Sequence, residues 1–134
     1  MSPRTLFLGR LIGLYCILIS LSMVTHKQAT VEAVTALVHN PSVLFVAGVI
    51  AVAAGLALIL GHNVWSGGAL PVIVTLVGWV ALIKGLLILF LSPEAASEFF
   101  LGRLHYEELY YWYTAASLLL GIYLIYETSK AHAR

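Results

Sequence analysis

Four long apolar runs, separated by shorter polar stretches, dominate the chain. They cover Leu6–Val24, Val43–Gly61, Ala69–Leu91 and Leu109–Tyr126. A helix needs about 20 mostly apolar residues to cross the hydrocarbon core of a bilayer, and each run is close to that length. None of the runs alternates with the period of two that membrane strands show. The pattern therefore predicts an all-α integral membrane protein, a bundle of four transmembrane helices that forms one domain over residues 1–134.

The composition leaves the bilayer as the only reasonable solvent. Of 134 residues, 61% are hydrophobic and 10% are charged, and the mean hydropathy is +0.98. A soluble domain has about 25% charged residues, and a chain this small cannot bury so much apolar surface in water. The net charge of +1 argues against a nucleic-acid partner, which would need a basic face. A single cysteine, Cys16, excludes an internal disulfide.

The first run has an alternative interpretation as a cleaved signal peptide, because Arg4 and Arg10 accompany an apolar stretch. The segment SMVTHKQA after it offers no cleavage site with small residues, and the run is long for a signal sequence. We therefore expect the first run to be a membrane span.

Basic residues near the span ends predict the orientation. The side that would hold both termini and the turn between the second and third runs has Arg4, Arg10, Lys130 and Arg134. The opposite side has only Lys27 and Arg103, together with most of the glutamates. Since cytoplasmic segments are enriched in lysine and arginine, we expect both termini in the cytoplasm.

The two halves of the chain, 1–66 and 67–134, resemble each other. LIGLYCILISL aligns with LVGWVALIKGL at an offset of 65, which places Gly13 on Gly78. GLALIL aligns with GIYLIY at an offset of 66. Each half also has an amphipathic stretch between its spans, QATVEAVTALVHN and SPEAASEFFLGRL, the second with Ser92 and Pro93 as a helix start. The sequence thus favours two tandem repeats of span, amphipathic helix and span, related by an axis along the membrane normal.

Small residues recur at helical spacing within every run. Lipid gives helices no hydrophobic reason to associate, so close packing at small residues must hold a bundle together. These stripes predict which helix faces touch, and they consist of Gly9, Gly13, Cys16 and Ser20, then Ala47, Ala51, Ala54 and Gly55, then Gly78, Ala81 and Gly85, and finally Thr114, Ser117 and Gly121.

Lys84 is the most unusual residue of the spans. It lies two helical turns inside the end of the third run, about 10 Å deep at 1.5 Å per residue. A lysine at the centre of a membrane helix costs about 2.5–3.5 kcal/mol. Either its long side chain extends to the headgroups, or it forms an internal ion pair with Glu107 or Glu108 from HYEELYY. Such a pair could bind an anionic headgroup, relay a proton or fix the register of two helices.

The segment HYEELYY raises a metal site as a further hypothesis. His105 and Glu108 are three residues apart, so they share a helical face. Imidazole and carboxylate groups bind divalent cations. A solvated acidic start of a helix is the simpler interpretation, since glutamate is favourable there through the helix dipole.

The stretch GHNVWSGG, between the second and third runs, predicts a tight turn at the membrane surface. Gly61 can end a helix, Gly67 and Gly68 can supply positive φ, and Trp65 can anchor in the interface. His62 and Asn63 can bond the exposed carbonyls at the helix end. The alternative is that His62 serves as a haem or metal ligand, or as a proton acceptor, but no other histidine is expected at the same depth.

The segments GLYCILISLSM, GHNVWSGG and LVGWVALIKGLLIL resemble small four-span inner-membrane proteins of bacteria. The resemblance covers most of the chain and implies a bacterial inner (plasma) membrane location. No activity is established for that group, so no catalytic residue is implied.

The sequence has no phosphate loop, no pairing of a nucleophile with a base and no dinucleotide fingerprint. We therefore expect a non-enzymatic accessory or scaffolding subunit without a cofactor, whose partners are the bilayer and a larger membrane complex or further copies of the chain. The alternatives are an oligomeric transporter or channel for ions or small solutes, and a membrane protein that binds metal or haem.

Overall fold

The computed structural model describes residues 2–99 and 108–133 of the chain. These residues form helices and no strands, so the prediction of an all-α protein is confirmed. Four helices are long and two are short. Their bounds are α1 Pro3–Thr25, α2 Lys27–His39, α3 Pro41–Gly61, α4 Ala69–Phe90, α5 Pro93–Ser97 and α6 Tyr110–His132.

Polar caps and prolines fix where these helices begin. The Ser2 hydroxyl accepts the Thr5 amide at the start of α1, and the Asn40 side chain accepts two amides at the start of α3. Both helices have proline in the first turn, where the missing N–H costs nothing. The predicted start of α5 at Ser92 and Pro93 is confirmed, with the Ser92 hydroxyl accepting the Ala95 amide.

Three helices, α1, α3 and α4, are long and apolar enough to cross a membrane by length and composition. α6 is as long as α1 at 23 residues, but its tyrosines, with Glu127 and Lys130, make it less apolar. The first three predicted spans therefore correspond to helices that could cross a membrane, and the fourth span stays a prediction.

The long helices form two antiparallel pairs, α3 with α4 and α1 with α6, and α1 joins the pairs through α4. Glycines permit the close approach within each pair. A methyl group added to Gly55 of α3 would lie 2.5 Å from the Leu82 nitrogen of α4. One added to Gly121 of α6 would lie 2.8 Å from the Gly13 carbonyl of α1.

Most of the predicted small-residue stripes lie at these contacts. The glycines at positions 9, 13, 55, 78, 85 and 121 are all buried, and Ser20 and Thr114 are buried as well. The stripe predicted for α3 was wrong in part, since Ala54 is exposed and Gly48 packs on α4 instead. Gly48, Gly55 and Gly78 share the α3–α4 contact because glycine alone lets two backbones approach so closely.

The buried side chains form two clusters at different depths. The first joins the helix pairs near the end that carries the termini, with Ile12, Leu70, Val74 and Leu124 at its centre. The second lies at the opposite end and joins α3, α4 and α5 through Leu44, Ile88 and Ala96, with Leu37 of α2 and Leu91 packed against it. We call them the termini-end cluster and the opposite-end cluster.

The two amphipathic stretches each contain a short helix. The first forms α2, which has Val31, Val34 and Val38 on its more buried side. In the described part of the second stretch, α5 covers the five residues Pro93–Ser97. Residues 100–107 lie outside the described part of the chain, and with them Phe100 and Leu104 of this stretch.

Candidate functional site

The turn between α3 and α4 folds back onto the start of α1. α3 ends at Gly61 and the turn contains Gly67 and Gly68 with φ of 91° and 113°, as predicted for these glycines. The first residue after the helix, His62, is 4% exposed. A histidine in a surface turn is therefore buried, because α1 covers it.

Two threonines from different helices hold the His62 ring. Its Nε2 lies 2.8 Å from the hydroxyl oxygen of Thr5 in α1, and its Nδ1 lies 3.3 Å from that of Thr75 in α4. Both threonines are at most 3% exposed. The imidazole thus bridges the two helix pairs at the termini end, and we call the three side chains the His62 bridge.

The surrounding hydrogen bonds indicate which ring nitrogen carries the proton. The Thr75 hydroxyl can donate to the carbonyls of Val64 and Pro71, at 2.9 and 3.0 Å, and it accepts the Val64 amide at 3.0 Å. Since its one proton has these carbonyl acceptors, Nδ1–H of His62 donates to Thr75 and the Thr5 hydroxyl donates to Nε2. The Ser2 hydroxyl, 2.8 Å away, then donates to Thr5. Every partner in this assignment has both a donor and an acceptor role.

Arg4 adds a second link between α1 and the turn. Its guanidinium donates to the Gly61 carbonyl at 2.8 Å. This carbonyl belongs to the last turn of α3, where helical carbonyls have no partner within the helix and the dipole favours a cation. Arg4 was assigned to the topology signal in the sequence, and the structure shows that it also caps α3.

The prediction for the side chains of His62 and Asn63 was wrong. Within the described residues, neither side chain bonds a helix-end carbonyl. His62 bonds the two threonines, and the Asn63 carbonyl oxygen accepts the indole N–H of Trp65 at 2.8 Å. Trp65 is 55% exposed, and its role as an anchor in the membrane interface stays a prediction.

The chemistry open to this site follows from the hydrogen bonds. Both nitrogens of the His62 ring face hydroxyl groups of the same protein, so a metal or haem iron would have to displace a threonine first. In the described residues there is no cluster of three or more histidine, cysteine or acidic side chains placed to hold a metal. The arrangement fits a buried polar joint that fixes the turn to α1 and α4.

Lys84 lies elsewhere, on an exposed position of α4 next to the buried Gly85. Only one of the two carboxylates predicted to pair with Lys84 belongs to the described residues. Glu107 and His105 lie outside the described residues, whereas Glu108 is an exposed turn residue before α6. The ion pair and the metal site therefore stay predictions.

Sequence reasoning missed the joint at the start of α6. Tyr110 is the first of four consecutive aromatic residues near the start of the fourth run, and it is fully buried with its hydroxyl donating to the Met23 carbonyl of α1 at 2.7 Å. The Lys27 ammonium lies 5.8 Å from its ring centroid and 4.8 Å from that of Tyr111. Because residues 110–113 are all aromatic, the sequence alone does not indicate which of them faces inward.

A weaker polar contact joins the two short helices. Nε2 of His39, at the end of α2, lies 3.3 Å from the Ser97 hydroxyl of α5, and its Nδ1 lies 2.8 Å from the Thr35 carbonyl. The Thr35 contact requires the proton on Nδ1, so Ser97 donates to Nε2. α2 and α5 therefore meet across the end of the bundle opposite the termini.

Comparison with family models, with curated proteins and with solved structures finds no match for this chain. The described fold and site define its class as an all-helical protein with three helices able to span a membrane and a buried histidine joint at one end.

Proposed function

We propose that the chain is a four-span membrane protein made of two tandem repeats, which serves as a non-enzymatic accessory or scaffolding subunit. The fourth span would be α6. Its backbone approaches that of α1 directly at Gly121 and Gly13, and Thr128 of α6 packs on Gly9 of α1. A helix packed along a membrane span over this length lies at the same depth as the span.

The repeat is supported by equivalent contacts in the two helix pairs. A methyl group added to Gly13 would lie 3.0 Å from Cγ1 of Ile125. At the positions that the sequence offsets make equivalent, a methyl group added to Gly78 would lie 3.4 Å from Cγ1 of Ile59. The α1–α6 contact thus corresponds to the α4–α3 contact.

A second set of positions shows the same correspondence. A methyl group on Gly121 would lie 2.8 Å from Ile17, and one on the equivalent Gly55 would lie 2.8 Å from Leu82. An axis along the membrane normal that exchanges α1 with α4 and α3 with α6 accounts for both sets. Such an axis belongs to parallel repeats, in which both halves have the same orientation.

The proposed topology places both termini and the GHNVWSGG turn on one side of the membrane, the cytoplasmic side of a bacterial inner membrane. We expect single cysteines introduced at Ser66 and Ala133, in a Cys16→Ala background, to react alike with an impermeant maleimide in sealed vesicles. A cysteine at Gln28 of α2 should react only in vesicles of opposite orientation. Labelling of residue 133 together with residue 28 would contradict four spans.

One observation carries the accessory role, namely that small residues lie on outer faces where this chain does not use them. α3 exposes Ala53, Ala54 and Ala57, and α6 exposes Ala115 and Ala116. Small residues allow helices to pack closely in a membrane, so these faces suit the helices of another protein. The polar groups of the His62 bridge, in contrast, are occupied within the chain.

Purification in mild detergent followed by mass spectrometry tests this role. We expect a second membrane protein to co-purify at constant stoichiometry. Ala116→Phe adds bulk to the exposed face of α6 and should reduce the recovered partner about tenfold, whereas Leu119→Phe, at a position already 67% exposed and large, should not.

Recovery of this chain alone, or only of further copies of it, would contradict the accessory role. A partner retained equally by both phenylalanine variants would show that the α6 face is not the contact. Circular dichroism of both variants provides the control for folding.

A further inference from the structure

Lys84 lies between two packed levels of α4. Val77 and Leu91 lie about two helical turns before and after it, so all three residues occupy nearly the same face of the helix. Val77 packs on the termini-end cluster and Leu91 on the opposite-end cluster. Lys84, in the middle, is exposed.

The corresponding face of α1 also becomes more exposed at this level. Ile12 is 8% exposed in the termini-end cluster, which it shares with Val74 of α4. Ile19, two turns further along the same face of α1, is 41% exposed. Because α1 and α4 run side by side from the termini end, the loss of cover on both indicates that the two helix pairs separate there. We call the space between Ile19 and Lys84 the α1–α4 crevice.

The opposite end of the crevice is covered. Leu37 of α2 and Leu91 pack against the opposite-end cluster, which contains Ile88 of α4 and Ala96 of α5. The face of α4 that would lead the Lys84 side chain towards that membrane surface is therefore occupied. The exposed side of Lys84 therefore has the crevice beside it, and extension along its own helix to the headgroups stays the alternative prediction.

Charge and surroundings define what would fill this space. Within the membrane a lysine is costly unless an anion accompanies it. Of the residues placed here, Ile19 and the neighbouring Ile83 and Val80, which are 41%, 52% and 64% exposed, offer apolar surface. An amphiphile with an acyl chain and an acidic headgroup satisfies both conditions, and the bilayer supplies one.

We propose that the α1–α4 crevice binds an anionic phospholipid, with its phosphate on the Lys84 ammonium and an acyl chain along Ile19. The inference rests on the proposed insertion of α1 and α4 in a bilayer. It is distinct from the accessory role, which uses the outer faces of α3 and α6. The two proposed repeats differ at this position, since Ile19 of the first half is equivalent to Lys84 of the second.

Native mass spectrometry of the detergent-purified chain, titrated with phosphatidylglycerol or phosphatidylcholine, tests the proposal. We expect phosphatidylglycerol to bind more tightly than phosphatidylcholine, and Lys84→Met to weaken phosphatidylglycerol binding about fivefold, as for loss of one basic residue that attracts an anionic lipid. Lys84→Arg should retain the preference. Lys130→Met, which removes an exposed cation from α6, provides the matched control and should bind as the unmodified chain does.

Equal binding of the two lipids by the unmodified chain, or equal loss in Lys84→Met and Lys130→Met, would overturn the lipid site. Retention of free fatty acid in place of phospholipid would overturn it as well. In each case the topology measured with introduced cysteines is unaffected, so failure of the lipid site and failure of the membrane topology are distinguishable.

Discussion

Gly55→Ala should weaken the α3–α4 pair more than any other single methyl addition in the described chain. The new carbon would lie 2.5 Å from the backbone nitrogen of Leu82 and 2.7 Å from its Cα. Backbone atoms in the middle of a helix cannot rotate away, so α3 and α4 must separate along much of their contact. We expect a loss of about 2–3 kcal/mol in the free energy of unfolding, the upper part of the range for overpacked cores.

Gly61→Ala is the matched control for this substitution. Gly61 is the last residue of the same helix, and a methyl group there meets nothing within 4 Å. Alanine is the better helix former, so stability should stay equal or rise by up to about 1 kcal/mol. Unfolding in mild detergent, followed by circular dichroism against added denaturing detergent, measures both variants. Equal stability of the two alanine variants would contradict the close α3–α4 contact.

The apolar runs and the small-residue stripes predicted the long helices and most of the residues at their contacts. Membrane helices have strong constraints on length and composition, and these are visible in a single sequence. Gly13, Gly78 and Gly121 were identified as contact residues for the same reason, because only small side chains permit close packing. The contact face of α3 was predicted less well, because Gly48 packs on α4 and the predicted Ala54 does not. Several small residues on α3 made the direction of its contact face ambiguous.

The polar joints were predictable in position but not in partner. His62 was recognised as unusual, yet its contacts depend on how α1 lies across the turn, and periodicity says nothing about that. Thr5 and Thr75 looked like ordinary residues at the start of apolar runs. A buried histidine needs hydrogen-bond partners. The signal that the sequence offers is therefore the presence of hydroxyl side chains near the same end of the helices. Thr5 and Thr75 are two such residues.

Lys84 shows the reverse case, in which the residue was identified and its environment was not. Its depth followed from the sequence, but cover at one end of its helix face depends on α2 and α5. These short helices contribute little to the hydropathy pattern. Their contact through His39 and Ser97 is tertiary, so the periodicity of the sequence does not reveal it.

His62→Ala should disconnect the turn from α1 at the termini end of the bundle. The substitution removes hydrogen bonds to two buried hydroxyls and leaves a space where the ring was. Unsatisfied buried polar groups cost about 1–3 kcal/mol each, and Thr75 keeps other partners. With the lost packing we expect stability to fall by about 3 kcal/mol. Asn63→Ala, the next residue of the turn, removes an exposed contact and should cost less than about 1 kcal/mol.

A double-mutant cycle separates the joint from general damage to the turn. The Thr5 hydroxyl makes the shorter contact with the ring, so Thr5→Val and His62→Ala should be less than additive, by about 1 kcal/mol. Full additivity would contradict a direct contact between them. The same preparations decide whether the histidine has a ligand role, since haem bound to His62 would give a Soret band that disappears in His62→Ala. An absorbance of that kind would mean that a threonine yields to iron, and that the joint described here is one of two states of the site.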